Sequence, residues 1–520
     1  MIAPADPRSL LDAARRGRDL EALAAGRVVD VLVVGGGITG VGVALDAAAR
    51  GLDVALVEQG DLAAGTSRWS SKLVHGGLRY LASGQVSVAA ESTRERGVLA
   101  STVAPHLVRP VPFVTPLGAA GMGRAMGIAV ASAQHGADAL RRGARTPAAL
   151  FPPPRRVEPA EAERLAPGIR QTGLRGGLVN WDGQLEDDAR LVIAVARTAA
   201  AHGARIITRC AALDAGPGGA TVRDGATGAV LDIRARHVVN ATGVWADQLD
   251  PAVHLRPSRG THLVIDGAAL GHPTAVLVVP VPGHLGRVLF AVPQPDGPVL
   301  LGLTDEPAEA VEREPRPTED EVDFLLTTFS EGLQRPLSRA DVVGSFSGLR
   351  PLLAAGPDAD GGSTADLSRR HAVLQHGEVV TVTGGKLTTY RRMAEEVVDL
   401  LTDAPCTTHL LPLVGAGPVE RGLAADLPDR LLRRFGAEAP AVAALAQGDP
   451  ALLSPIAPDV PALGVEVIWA LRAEGALAVD DILDGRLRLD LVPDWRAAAA
   501  PSALALVDAH ADRGRVALRP

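Results

Sequence analysis

The chain has 520 residues, of which 47% are hydrophobic and 22% charged, with a formal net charge of −8. That length exceeds one compact core and implies roughly two or three domains; the composition excludes a disordered chain, and the acidic balance argues against a general nucleic-acid binder. Cys210 and Cys406 form no C-x-x-C pair, so no disulfide framework or cysteine zinc site is expected, and a reducing cytoplasm fits.

Residues 1–30 lack a continuous apolar run and are broken by charges, so no secretory signal is expected, and residues 1–24 read as a loosely attached helix. No stretch reaches the roughly 20 unbroken apolar residues that span a bilayer. DVLVVGGGITGVGVALDAAARGLDVALVEQG, residues 30–60, predicts strand, tight turn, helix, turn and strand. Val31 to Val34 have no polar alternation, as in a parallel strand buried on both faces. Gly35, Gly37 and Gly40 satisfy G-x-G-x-x-G. In that pattern the first glycine permits the turn, the second lets a pyrophosphate approach the backbone, and the third lets helix and strand pack closely. Ile38 and Thr39 then open a helix whose free amides and dipole favour anions. Gly51 suits the C-terminal end of that helix. Glu58 ends the next strand, where a carboxylate binds both ribose hydroxyls and disfavours a 2′-phosphate. A glycine-rich turn without a ligand would leave Glu58 unexplained.

GTSRWSSKLVHGGLRYL, residues 65–81, gathers cations and hydroxyls among glycines. Lys72 and Lys386 are the only lysines of the chain, and each lies near one of its two tyrosines, Tyr80 and Tyr390. Residues 105–133 combine apolar residues with Arg109 and Arg124, and two readings stay open: a segment lying on a membrane surface, or a packed glycine-rich one. Further on, RARHVVNATGVWADQL (234–249) predicts a strand over His237 to Val239, followed by Ala241-Thr242-Gly243. VVTVTGGKLTTYRRMAEEVVDLL (379–401) repeats the order of strand, two glycines and helix, with Thr388 and Thr389 placed to cap the helix. Three strand–glycine elements between residues 30 and 401 exceed what one NAD needs and point to an extended cofactor, FAD.

The 35–81 region closely resembles the start of the FAD-dependent glycerol-3-phosphate dehydrogenases. The resemblance continues through WDGQLEDDARLVIAVA (181–196), VVNATGVWAD (238–247), RPSRGTHLVI (256–265) and GRVLFAVPQPDGPVLLGLTDEP (286–307). DVVGSFSGLRPLL (341–353), TVTGGKLTTYRRMAEE (381–396) and a helical stretch at 466–492 follow in the family's order. Two departures stand out. The family usually has two threonines before the acid where this chain has Leu303-Thr304-Asp305, and its end domain commonly has an R-R-T-R-L-like run where this chain has Gly485-Arg486-Leu487-Arg488-Leu489.

The resemblance implies oxidation of sn-glycerol 3-phosphate to dihydroxyacetone phosphate by hydride transfer to flavin N5. It further implies a quinone or similar acceptor and association with the cytoplasmic face of a membrane, and it allows a homodimer. Such chemistry needs cations for the phosphate, and Arg79, Arg350 and Lys386 sit in family-like motifs beside glycines. His262 and His75 are the candidate bases. Besides the 35–58 unit, the expected cofactor residues are Thr66, Ser67, Ser70, Ser71, Lys72, Gly76 and Gly77 in one segment. Ala241, Thr242, Gly243 and Trp245 form a second, and Gly385, Lys386, Leu387 and Thr388 a third. Asp182 and Asp187 read as turn and helix-cap carboxylates.

The expected fold is α/β: a Rossmann-like FAD-binding domain (28–104, 175–250 and 342–408) interleaved with an antiparallel-sheet substrate domain (105–174 and 251–341). A helical domain over 411–520 follows. Alternatives on the same fold are an oxygen-using glycerophosphate oxidase, an amine or hydroxy-acid oxidase, and a catalytically silent flavin-binding scaffold. The last would be expected to lose the cations near the flavin.

Overall fold

The computed structural model describes residues 5–510 except 83, 119–121, 285–286 and 355–370. Its first sheet runs in the spatial order His371–His376, Val379–Gly384, Val230–Asn240, Val28–Val34, Val54–Val57 and Arg205–Ile207. The last five strands are parallel. Their carboxyl ends therefore lie along one edge: Val34 is in register with Asn240 and with Val57, and Gly384 lies at the end of the strand beyond. Open parallel sheets bind ligands outside such an edge. The helices Ile38–Ala49, Asp188–Ala201 and Tyr390–Val398 bury Val41, Ala44, Val192, Val195, Met393 and Val397 in one core with that sheet.

The other face is closed partly by the helix Ala13–Ala24, through Leu20 and Leu23. This helix is not loosely attached. Asp12 caps it by accepting from the Arg15 amide at 2.6 Å, and Arg16 pairs with Asp224 at 2.5 Å.

Among the described residues the second sheet has ten strands, antiparallel except where Val276–Pro280 pairs in parallel with Val108–Gly118. The strands Leu174–Leu185 and Val342–Arg350 belong to it, pairing with Val108–Gly118 and Ser258–Ile265. Residues 175–185 and 342–350, which the sequence reading groups with the FAD-binding domain, are thus strands of this second sheet; apolar content does not say which sheet a strand joins. The helix Glu319–Gly332 covers the second sheet through Leu325 and Phe329, and starts with a capping box of Thr318 and Glu321.

The 105–133 segment is a packed one in its first part, since Val108–Gly118 is an interior strand with partners on both sides. The helix Arg124–Gly143 follows, with Ile128 exposed. Among the described residues no helix is long and apolar enough to cross a membrane.

The helices Asp429–Phe435, Ala439–Ala443, Gly464–Ala473 and Pro493–His510 form the C-terminal region around two small cores. Buried ion pairs dock it on the helix Asp188–Ala201, Arg197 with Glu438 at 2.6 Å and Arg190 with Glu474 at 2.7 Å.

Candidate active site

The glycine turn sits where the strand edge predicts. Gly35 has φ of +111°, and a β-carbon on it would come within 2.6 Å of the Ala241 carbonyl oxygen, so the A-T-G loop passes directly over the turn. A β-carbon on Gly40 would overlap the Gly35 carbonyl, which is the close helix–strand contact the motif requires. The helix begins at Ile38 with no side-chain cap from Gly37, although the Ile38 amide donates to Ser67 Oγ at 2.9 Å. Thr39 is half-buried at the same end.

Glu58 accepts from the Gly36 amide at 2.7 Å and from the Gly60 amide at 2.6 Å, one on each oxygen. Burial pushes its carboxyl above the usual range, while the two amides oppose the shift. Each oxygen retains a lone pair for a ribose hydroxyl.

The A-T-G loop is held by Asn240, which accepts from Thr242 Oγ1 at 2.7 Å and donates to the Ala246 carbonyl at 2.9 Å. Trp245 packs beside Gly65, and Thr66 Oγ1 donates to the Leu349 carbonyl at 2.6 Å. On the third element, Gly384 and Gly385 both have positive φ and lead into the short 3-10 turn Leu387–Thr389. Neither Thr388 nor Thr389 caps the helix Tyr390–Val398 with its side chain; Thr389 Oγ1 instead donates to the Lys386 carbonyl at 3.3 Å. Thr389 does stand at the N-cap position, but its hydroxyl is turned back to the Lys386 carbonyl, so the expected threonine cap is not formed.

These three loops and Glu58 share one edge, and they supply what an extended dinucleotide needs: a glycine turn with close backbone, a helix start with glycine at its N-cap, and a ribose carboxylate. The residues fit FAD. Gly76 and Gly77 also have packing reasons to be glycine, lying against Arg96 and Ala89.

Lys72 is in the right segment, but its ammonium is engaged elsewhere. It is 1% exposed and donates to both oxygens of Asp188, at 2.9 and 3.0 Å. Asp188 also accepts from the amide and hydroxyl of Ser70, at 2.9 and 2.7 Å. Sequence reasoning missed Asp188. The signal was present in E-D-D-A-R, where Asp187 caps the helix through the Arg190 amide and a second, fully buried acid then needs its own cation. Asp182 is likewise no turn residue. It lies within a strand and accepts from the Gly76 amide and Arg96, at 2.9 and 2.7 Å. Burial raises its carboxyl, and Arg96 and His75 more than offset this, leaving it below its usual range.

Next to this buried pair, Ser71 Oγ and His262 Nε2 are 2.9 Å apart. The His262 ring is 1% exposed, stacks on Phe346 at 4.8 Å, and leaves Nδ1 without a partner among the described residues. Burial first, then the charges of Lys72 and Arg350, depress its pKa to about 3. Phe290, Gly302, His262 and Phe346 lie side by side across four strands, and His75 packs on Phe290 at 6.0 Å with Asp182 3.5 Å from its Nδ1. Both histidines therefore line one wall.

Arg350 donates to Ser258 Oγ at 3.1 Å, to Asp305 at 3.2 Å and to the Thr304 carbonyl at 3.1 Å. Thr304 in turn accepts from the Thr261 amide, 3.0 Å away, so the departure at Leu303-Thr304-Asp305 leaves both polar residues engaged around Arg350. Lys386 donates to Ser92 Oγ at 2.9 Å, and its ammonium lies 3.6 Å from the centre of the Tyr80 ring. The lysine of one segment meets the tyrosine of the other. Arg79 falls in the short helix Leu78–Ala82, and its side chain lies outside the described residues.

The comparisons with known proteins agree with this geometry. Residues 30–399 match the family described as FAD dependent oxidoreductase, and residues 386–513 match the C-terminal domain of alpha-glycerophosphate oxidase. Glycerol-3-phosphate dehydrogenase 1 of Mycobacterium tuberculosis is 50% identical over 495 residues, covering 93% of this chain and 95% of the relative. A probable mitochondrial glycerol-3-phosphate dehydrogenase of Caenorhabditis elegans is 33% identical, covering 91% of this chain and 69% of the relative. The solved structure of the Bacillus halodurans glycerol-3-phosphate dehydrogenase complexed with FAD superposes with a TM-score of 0.70 at 24% identity, covering 96% and 94% of the two chains. With a family model spanning most of the chain and a half-identical relative along nearly all of it, the chain belongs to the FAD-dependent oxidoreductases and, among them, to the glycerol-3-phosphate dehydrogenases.

Proposed function

We propose that the protein oxidises sn-glycerol 3-phosphate to dihydroxyacetone phosphate and passes the electrons to a quinone or similar acceptor. The observation that carries this reading is His262, a buried imidazole with one nitrogen held by Ser71 and the other unpartnered among the described residues, close enough to Arg350 to feel its charge. Bound FAD supplies the hydride acceptor. The chain must then bind the phosphate, orient the alcohol and take the hydroxyl proton.

An orphaned buried N–H is rarer than an orphaned acceptor. This favours Nε2–H donating to Ser71, which leaves the Nδ1 lone pair to take the proton. The low pKa keeps the ring neutral and ready to accept. Arrival of a phosphate dianion would oppose the charges of Lys72 and Arg350 and lift the imidazole toward the working range. Arg350 and Lys386 are the cations we assign to the substrate, with Tyr80 fixing Lys386 through its ring face; Arg79 is assigned with them from its family-like motif alone. His75, braced by Asp182, lines the wall. The membrane-face location belongs to the same proposal; what supports it is the family resemblance and the exposed Ile128.

A second reading, an oxygen-using oxidase, is favoured by the match of residues 386–513 to a glycerophosphate oxidase domain. Anaerobic mixing with glycerol 3-phosphate is expected to bleach the flavin absorbance, whereas glycerol should not. An intact bound flavin that stays oxidised would rule out the substrate. Reoxidation by a quinone analogue, compared with oxygen, separates the two acceptors. Arg350→Ala is expected to slow reduction at limiting substrate by about a hundredfold or more while FAD stays bound. Parallel loss of both would make the arginine structural.

A further inference from the structure

The Gly485-Arg486-Leu487-Arg488 turn, where the chain departs from its family's usual run, reaches from the C-terminal region into the cofactor segment. Arg486 is 1% exposed and forks onto Asp61, with Nη1 at 2.5 Å and Nη2 at 2.8 Å from the two carboxylate oxygens. The same guanidinium donates to the Glu474 carbonyl at 2.8 Å. Arg488, in the left-handed region at φ +60°, donates to the Arg68 carbonyl at 2.7 Å, to Asp187 at 3.2 Å and to Asp490 at 2.9 Å. The approach is close at Gly485 too, where a β-carbon would meet the Asp61 carboxylate at 2.6 Å.

Asp61 and Arg68 bracket the part of the chain that completes the nucleotide cradle. Just after Asp61, the Ala63 amide donates to the Gly36 carbonyl at 3.1 Å, inside the glycine turn. Just before Arg68, Ser67 Oγ takes the Ile38 amide at the start of the dinucleotide helix. The two arginines thus grip residues 61–68 at both ends, while the middle of that segment is tied to the turn and the helix. Arginine suits this task, because its fork serves a carboxylate and a carbonyl together.

We propose that Arg486 and Arg488 are positioning residues for FAD: the C-terminal region acts as a clasp that keeps the 61–68 segment closed on the glycine turn and so sets how tightly the cofactor is retained. The inference rests on FAD as cofactor and not on the identity of the substrate, so its outcome is readable even if glycerol 3-phosphate fails to reduce the flavin.

The test is the rate at which the purified, FAD-loaded protein releases flavin after dilution, followed by the fluorescence of freed FAD. Arg488→Lys keeps the charge but cannot serve the carbonyl and both carboxylates at once. It should release FAD about tenfold faster than the parent and recover its full flavin content in excess FAD. Arg197→Lys is the control. It weakens the Glu438 pair that docks the same C-terminal region away from the cradle, and should lower thermal stability while leaving FAD release unchanged. Unaltered release from Arg488→Lys, or equal acceleration in Arg197→Lys, would overturn the clasp. If Arg488→Lys does not fold, Gly485→Ala, which pushes on Asp61 without removing a charge, carries the same comparison with the same two outcomes.

Discussion

Asp188 joins Lys72 and Ser70 into one buried unit beside the Ser71–His262 contact, so removing its charge leaves the Lys72 ammonium without the carboxylate it is hydrogen-bonded to, held by the Arg68 and Ser70 carbonyls. Breaking one partner of a buried pair costs about 3–5 kcal/mol. Asp188→Asn should lose stability of that order in a urea titration, and adding Lys72→Met should recover part of it. If the double variant were no more stable than the single one, the pair would not be the source of the loss. His262 supplies a second residue-scale prediction. Its pKa falls from 6.5 unfolded to about 3 folded, so the unfolded chain binds the extra proton between those values. Stability from this group is complete above pH 6.5 and is lost as pH falls toward 3, with a slope of up to about 1.4 kcal/mol per pH unit. His262→Asn should flatten the acid limb of a stability–pH curve by up to one proton; an unchanged slope would contradict the buried neutral ring. His106, also depressed to about 3 by burial, supplies a similar slope that remains in the variant. RGTHLVI made His262 visible in the sequence, but Ser71 lies 191 positions away, and no local pattern announces such a partner.

At the scale of elements, Gly40 closes the contact between the first strand and its helix. Gly40→Ala should yield protein with at least about tenfold lower flavin retention, because a methyl there drives the helix start away from the Gly35 carbonyl. The ratio of flavin to protein absorbance reads this directly, and a normal ratio would mean that the turn relaxes without penalty. The strand–turn–helix unit over 30–60 was legible because every signal in it is local: buried apolar strands, glycines at fixed offsets, an acid at the strand end. The A-T-G strand and the two-glycine element were readable for the same reason. What could not be read was the sheet that Leu174–Leu185 and Val342–Arg350 join, since strand partners are chosen by tertiary packing. The Thr388–Thr389 cap failed similarly, at a 3-10 turn with no marker of its own.

Across the whole molecule, arginine does nearly all the cationic work, and the long-range pairs that unite the C-terminal region with both sheets are arginine pairs. None of these was foreseeable from local sequence, because each joins residues between 134 and 425 positions apart. The two lysines occupy very different surroundings: Lys72 is sealed on Asp188, and Lys386 is half-buried against Tyr80. That difference turns the folded enzyme into its own selective labelling target. An amine-reactive ester should acylate Lys386 and spare Lys72, and bound glycerol 3-phosphate should shield Lys386, with peptide masses reporting both. Equal modification of the two lysines in the folded protein would contradict the burial of Lys72. Such a reagent, blunt on lysine-rich proteins, here has one accessible lysine besides the chain's α-amino group, so the peptide carrying Lys386 reports whether the proposed substrate site is filled.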